Sequence, residues 1–422
     1  MSIIPKIVKL PPYTEQKYRL IACLIICIIL LLLEIKTNFK CHGDSGGDIR
    51  YCYFPMAASL IDGDPNTTYN TSYLYGRGIV LPFVYAVTWK SIHPFKQFQI
   101  DKDINQLYTL VYILSPLFVI FALFILLYSI LKIRNTVAFF IALLFYLEID
   151  PFYEMLNNGY LDCLYLLLIA ICLYLLVQLV RTFKFKYSIL LGILWFVLPM
   201  LRANGLFIIM CTVLVLVGSG ILHYREKEYF KQLIKNVLLL IGTFALVNVA
   251  YEVYIYLINW QPNPNVVKHF PLHPESVSSI SKNPITIMPE FKSWTDFWTL
   301  LIHYLKLFPE LINQVSLFAS LSQKEHCIDT WLHVHANLWR YWQVQLLLFV
   351  AHLNLLRYQL KEKSKAIIIV YLAAACNFLI QIIADYNIRY YVFVYFTIFF
   401  PVIWTVDHYL IQPIYKNLPR YS

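Results

Sequence analysis

The chain is dominated by long apolar runs separated by short polar turns. Runs that approach bilayer length occupy residues 20–35, 107–131, 160–180, 206–222, 234–258, 341–356, 366–384 and 390–411. Two shorter runs, 137–149 and 188–201, extend a little into their flanks. A membrane-spanning helix needs about 20 predominantly apolar residues, with tolerance down to about 17. These ten runs therefore predict ten spans. Residues 79–89 form an apolar stretch too short to cross, with Pro82 near its start. This stretch reads as an interfacial helix on the outer leaflet, anchored by Tyr85 and Trp89. A second interfacial helix is expected over 297–321, where His303, Lys306, Glu310, Asn313 and Gln314 interrupt the apolar pattern.

Composition agrees with this pattern. Of 422 residues, 59% are hydrophobic and 14% charged, against about 25% charged in soluble domains. So much apolar surface exceeds what one soluble core can bury. A soluble enzyme, a disordered chain, a disulfide scaffold and a collagen-like linker are all excluded. The fold class expected is all-α, a polytopic membrane helix bundle forming one integral-membrane domain over 1–422. The apolar run after Lys17 and Arg19 lacks a small-residue cleavage site and reads as a retained first helix.

Charge orients the bundle. If 79–89 does not cross, one set of turns (1–19, 132–135, 181–186, 223–233, 358–365, 412–422) holds 17 Lys and Arg in 59 residues. The opposite set holds 13 in 168. Cytoplasmic loops collect Lys and Arg, so both termini are expected in the cytoplasm. The net charge of +10 is then a topological signal and no sign of nucleic-acid binding. Nearly all non-membrane mass falls on the outer side, in a first loop over 37–106 and a second over 260–337.

Candidate chemistry gathers on that side. The first loop reads Cys41-His42-Gly43-Asp44-Ser45-Gly46-Gly47-Asp48-Ile49-Arg50-Tyr51-Cys52. Asp44 and Asp48 stand at the membrane boundary, where partial desolvation suits a carboxylate to general-base work; taken singly, each also reads as a hydrated loop acid. Cys41 and Cys52 are compatible with a disulfide in an extracytoplasmic loop. Arg77, in Tyr75-Gly76-Arg77-Gly78, is placed to clamp a phosphate or to snorkel to headgroups. A further outer turn carries Glu148, Asp150, Glu154 and Asp162 with no basic residue between them. Capping explains Asn157, Asn158 or Asp162, but it does not require four acids. Arg202 and Arg389 are isolated cations on the side that the charge rule leaves poor in them, which suggests an anionic ligand; Arg389 with Asp385 is the structural alternative. His326, His333 and His335 lack metal spacing, and no metal or cofactor is expected. Two sequons, Asn66-Thr67-Thr68 and Asn70-Thr71-Ser72, fit an outer or lumenal loop.

The order of features resembles the GT-C superfamily of integral-membrane glycosyltransferases. It runs from one span to a large outer loop opening on Asp48-Ile49-Arg50-Tyr51-Cys52-Tyr53, then Ala57-Ala58 and Asp62-Gly63. A surface helix preceded by Tyr-x-Arg follows, then the acidic turn from Asp150 to Asp162, Arg-x-Asn-Gly between spans, and Arg-Tyr before the last span. The likeness covers about residues 20–210 in motif and the remainder in layout. It implies a polyprenyl- or dolichyl-phosphate sugar donor, a hexose or pentose (a mannose, for example) as the transferred sugar, and a glycan, lipid or protein acceptor. It implies Asp48 as base with Asp44 beside it, and Asp150, Glu154 and Asp162 as the second acidic set. Arg202 and Arg389 would bind the donor phosphate. A bacterial inner membrane or the endoplasmic reticulum both suit such an enzyme. The spacing of Asp44 and Asp48 departs from the adjacent acid pair of many members. A transporter or flippase of a lipid-linked or anionic substrate is the main rival. It would place ionisable groups at midplane, whereas here the spans are nearly free of charge, Glu252 being the main exception. A polysaccharide polymerase or ligase using a lipid-pyrophosphate donor is a second rival.

Overall fold

The computed structural model describes residues 12–41, 53–63, 79–149, 152, 155–156, 161–201, 205–257, 298, 302, 342–362, 365–384 and 392–413. All regular secondary structure among them is helical. In chain order the helices are α1 (Pro12–Cys41), α2 (Phe54–Asp62), α3 (Val80–Ile92), α4 (Ile100–Phe124), α5 (Thr136–Glu148), α6 (Leu161–Thr182), α7 (Phe185–Leu201), α8 (Leu206–Leu222), α9 (Lys227–Leu257), α10 (Trp342–Glu362), α11 (Lys365–Ala384) and α12 (Val392–Val406). α4 and α12 each run on into a π-helical turn, Ile125–Ile130 and Asp407–Ile411.

Each of the ten predicted runs carries a helix. Among the described residues, five helical stretches are long and apolar enough to cross a membrane: Lys17–Lys36, Lys102–Ile130, Asp162–Thr182, Lys227–Leu257 and Phe393–Ile411. Shorter apolar helices accompany them, among them Thr136–Glu148, Phe185–Leu201 and Leu206–Leu222.

The burial pattern is that of a bundle whose solvent is itself apolar. α6 is central: it packs on α4 and α7 and also touches α8 and α11. Its buried side chains, from Cys163 through Ile169, Leu173 and Leu176 to Val180, occupy all sides of the helix, as expected of a helix enclosed by protein. α1 and α9 lie at the periphery. α1 buries Cys23, Cys27 and Leu30 at helical spacing while Ile25, Ile28, Leu32 and Leu33 face outward. α9 buries Leu233, Asn236 and Leu240 and leaves Leu238, Ile241, Leu246, Val249 and Val253 exposed, Leu246 by 69%. In water such a surface would be an aggregation site. Against lipid tails it is the matching face, so α1 and α9 are held by close packing and polar contacts.

The α7–α9 contact shows both devices. A Cβ on Gly192 would stand 2.7 Å from the Leu240 carbonyl oxygen and 2.8 Å from Thr243 Cβ. Only a glycine allows this approach. At the end of the same seam, Ser188 Oγ donates to Asn236 Oδ1 (2.7 Å). Asn236 Nδ2 donates to the carbonyls of Phe183 (3.2 Å) and Gln232 (2.9 Å). The buried amide is thus satisfied on both sides and pins α9 to the α6–α7 turn.

The sequence reading is corrected at 79–89. A helix does form there, as α3, but Tyr85 and Trp89 are fully buried and do not anchor a membrane interface. Trp89 Nε1 donates to Gln106 Oε1 of α4 (3.1 Å), which satisfies a polar group that burial would otherwise strand. Phe83, Val87 and Ile92 take the outward face. α2, which the apolar pattern did not foretell, packs on α3 and buries Met56, Ala57, Ala58 and Ile61. At nine residues it is too short to be stable alone and depends on that packing. Of the interfacial helix expected over 297–321, only positions 298 and 302 are described; both are helical, with exposed Trp298 and Ile302.

Candidate functional site

Of the residues expected to carry chemistry, Glu148, at the end of α5, and Asp162 are described. Asp44, Asp48, Arg77, Asp150, Glu154, Arg202 and Arg389 lie outside the described residues, as do Cys52, the two sequons and the three loop histidines, while Cys41 ends α1. What can be built is the frame around them, from the side chains that immediately flank each in sequence.

Those flanks converge at one end of the bundle. Tyr53 and Phe54, which follow the Asp44/Asp48 segment, are buried. Phe54 meets Tyr85 of α3 edge-on at 6.4 Å and Tyr108 of α4 at 4.5 Å. Tyr85 in turn lies within electrostatic reach of Tyr53 and of Cys163 in the first turn of α6. Cys163 Sγ donates to the Met155 carbonyl (3.2 Å). The acidic turn between α5 and α6 is therefore tied down through its apolar members: Phe152, Met155 and Leu156 are all buried.

The same end receives the start of α12. Tyr146, near the end of α5, donates its hydroxyl to the Phe396 carbonyl (2.7 Å). Its ring stacks on Phe396 at 4.9 Å and touches Phe152 at 5.5 Å. Phe396 continues to Phe393 (6.0 Å), Phe393 to Phe207 at the start of α8 (6.3 Å), and Phe207 to Tyr165 of α6 (6.4 Å). One aromatic cluster thus joins the chain segments next to Asp150, Glu154, Arg202 and Arg389. A Cβ on Gly205 would come within 2.6 Å of Leu198 C, so the head of α8 lies close against the last turn of α7.

Asp162 sits in the first turn of α6, 4% exposed, and is already engaged in an interaction. A carboxylate there is favoured by the unpaired N–H groups and positive end of the helix. Its position fits a role in fixing the start of α6.

Several polar groups escaped the sequence reading. Asp103 is buried on the same side as the first loop: its Oδ2 accepts from the Gln99 amide (3.0 Å) and its Oδ1 pairs with Lys96. Lys96 also lies over the Trp89 ring at 5.9 Å. The spacing of Gln99 and Asp103 at the head of an apolar run was a readable helix-start signal. In the opposite half, His352 Nε2 donates to the Ile398 carbonyl (3.1 Å) and Nδ1 accepts from Tyr371 Oη (2.6 Å). The carbonyl can only accept, which fixes that tautomer for the neutral ring. Asn377 of α11 is fully buried with neither Nδ2 nor Oδ1 partnered. Asp407, near the end of the last run, is also buried, with Oδ2 accepting from Gln412 Nε2 (3.0 Å). The spans are therefore less free of charge than the sequence reading held.

A cavity of about 540 Å³ opens between α7, α8 and α9. Trp195, Val213, Leu216, Leu233, Val237 and Leu240 line it, and no carboxylate or basic side chain does. Such a lining suits hydrocarbon and offers nothing for acid–base work. In comparisons with protein-family models, curated proteins and solved structures, nothing matched this chain.

Proposed function

We propose that the chain is a ten-span membrane glycosyltransferase of GT-C type. It would transfer a sugar from a lipid-phosphate donor to an acceptor hydroxyl at the outer face. The observation that carries this reading is the shared frame. Side chains flanking the first-loop acids, the acidic α5–α6 turn, Arg202 and Arg389 all pack into one network at one end of the bundle. The described neighbours of these four segments share one packed base, which supports a reading in which their acids and arginines act together.

In this reading the lipid tail lies among the helices and its phosphate sits at the rim. Arg202 and Arg389 stabilise the leaving phosphate as the glycosidic bond breaks and its electron pair passes to the phosphate oxygen. Asp48 accepts the proton of the acceptor hydroxyl as that oxygen bonds to the anomeric carbon from the opposite face, with inversion. Asp44 stands in support, and Asp150 and Glu154 bind the acceptor or polarise the rim. Arg77 is a third phosphate contact. The donor leaves as a monophosphate whose charge two arginines suffice to balance.

The test is a donor panel. Purified protein is incubated with polyprenyl- and dolichyl-phosphate sugars, and release of free lipid phosphate is followed. Release from one donor class that depends on Asp48 supports the reading. No release from any donor with a panel of sugar, lipid and peptide acceptors would refute it.

A further inference from the structure

The opposite end of the bundle carries a cluster that the proposed chemistry does not use. Lys132 and Arg134 lie in the turn between α4 and α5; Arg181 lies in the last turn of α6, which packs against the π-helical end of α4. Partial desolvation and the nearby charges of Arg181 and Arg134 together lower the affinity of the Lys132 amine for its proton. No carboxylate contributes to that environment. Among the described residues none of the three cations makes an ion pair, and Arg134 Nε is sealed from solvent without a hydrogen-bond partner. Mutual repulsion of this kind costs stability unless an anion relieves it.

The backbone reinforces the point. Lys132 (φ 59°) and Phe183 (φ 51°) are the non-glycine residues with positive φ among those described, and one stands in each of the two neighbouring turns. A left-handed backbone is unfavourable for lysine, yet the fold holds it beside two arginines. Phe185, just beyond, is 56% exposed, and the charge pattern puts these turns on the cytoplasmic surface. An exposed aromatic next to unbalanced cations at a membrane boundary is the arrangement that takes an anionic headgroup.

We propose that Lys132, Arg134 and Arg181 form a binding site for the phosphate of an anionic phospholipid on the cytoplasmic face.

The experiment uses the full chain in a neutral detergent and follows thermal unfolding by intrinsic fluorescence. Phosphatidylglycerol, phosphatidylcholine or inorganic phosphate is added separately. Phosphatidylglycerol should raise the unfolding midpoint more than phosphatidylcholine does, and most of that difference should vanish in Lys132→Asn and Arg181→Gln. Asparagine tolerates the left-handed backbone, so Lys132→Asn removes the charge without adding strain. Lys231→Gln, an exposed cation elsewhere on the same face, should keep the full shift. Equal shifts with both lipids, or an undiminished shift in the two variants, would overturn the site. A shift with inorganic phosphate and none with phosphatidylglycerol would overturn the lipid assignment.

Discussion

The two ends of the bundle are built from the same apolar helices but arranged to opposite purpose. At one end, one aromatic contact joins α2 to α3 and a second aromatic set joins α5, α6, α8 and α12, beside the polar segments. At the other end the turns are short, basic and held by single polar pins: Asn236 fixes the α6–α7 turn, and Asn135 caps α5 by accepting from the Val137 (3.0 Å) and Ala138 (3.3 Å) amides. The difference teaches that, on the proposed reading, chemistry follows the loops while the helices supply position. A rigid cluster under long loops suits recognition and catalysis. Short cationic turns suit orientation and contact with lipid.

The comparison breaks most visibly at Asp48. Asp48→Asn should lower transfer by about 10²–10⁴-fold, the usual contribution of a general base, with expression and monodispersity unchanged; donor turnover in purified protein checks this. Arg202→Ala should come next. It should raise the apparent donor requirement by roughly tenfold or more, in line with the loss of one charge-assisted contact, read from initial rates across donor concentration. An unchanged donor dependence would make Arg202 structural.

Two substitutions sharpen the comparison through stability. Gly192→Val forces side-chain atoms onto the Leu240 carbonyl and should cost roughly 1–3 kcal/mol, visible as a lower thermal midpoint. Tyr146→Phe removes the hydroxyl that bridges α5 to α12 and leaves the Phe396 carbonyl unpaired by it, a loss of about 1–3 kcal/mol. Because that bridge lies beside the segments proposed to carry catalysis, activity should fall with it, whereas the Gly192 change acts through the α7–α9 seam. The smallest effect is expected of Asn377→Leu. Replacing an unsatisfied buried amide by a hydrocarbon of similar size should be neutral or slightly stabilising. A loss of activity without loss of stability would instead assign Asn377 to the substrate path.

The sequence made the helices legible because long apolar runs separated by short polar turns admit little else. It did not reveal which side of each helix faces protein. Leu173 of α6 is buried and Leu246 of α9 is exposed, yet both are leucines in apolar runs, since lipid and protein interior demand the same chemistry. Polar residues inside the runs were the better guide: Ser188, Asn236 and His352 each mark a helix–helix contact. Tyr85 and Trp89 misled because aromatic residues serve equally as interface anchors and as core. Among the candidate site residues, Asp162 was legible both as an acid of the outer turn and as a helix start, and its burial favours the second. The remaining site residues are known through their neighbours, and it is the aromatic positions Phe152, Phe207, Phe393 and Phe396, unremarkable in an apolar sequence, that bring those neighbours together.

The central claim is that four polar segments share one non-cytoplasmic rim. Single cysteines at Ser45, Asn157, Ala203 and Asn387, in a chain whose Cys41, Cys52 and Cys327 are changed to serine, test it with a membrane-impermeant maleimide on sealed vesicles of known orientation. All four should label from the outer side, and a cysteine at Lys184 should label only after the vesicles are opened. Any of the four that reacts only from the cytoplasmic side would contradict the account.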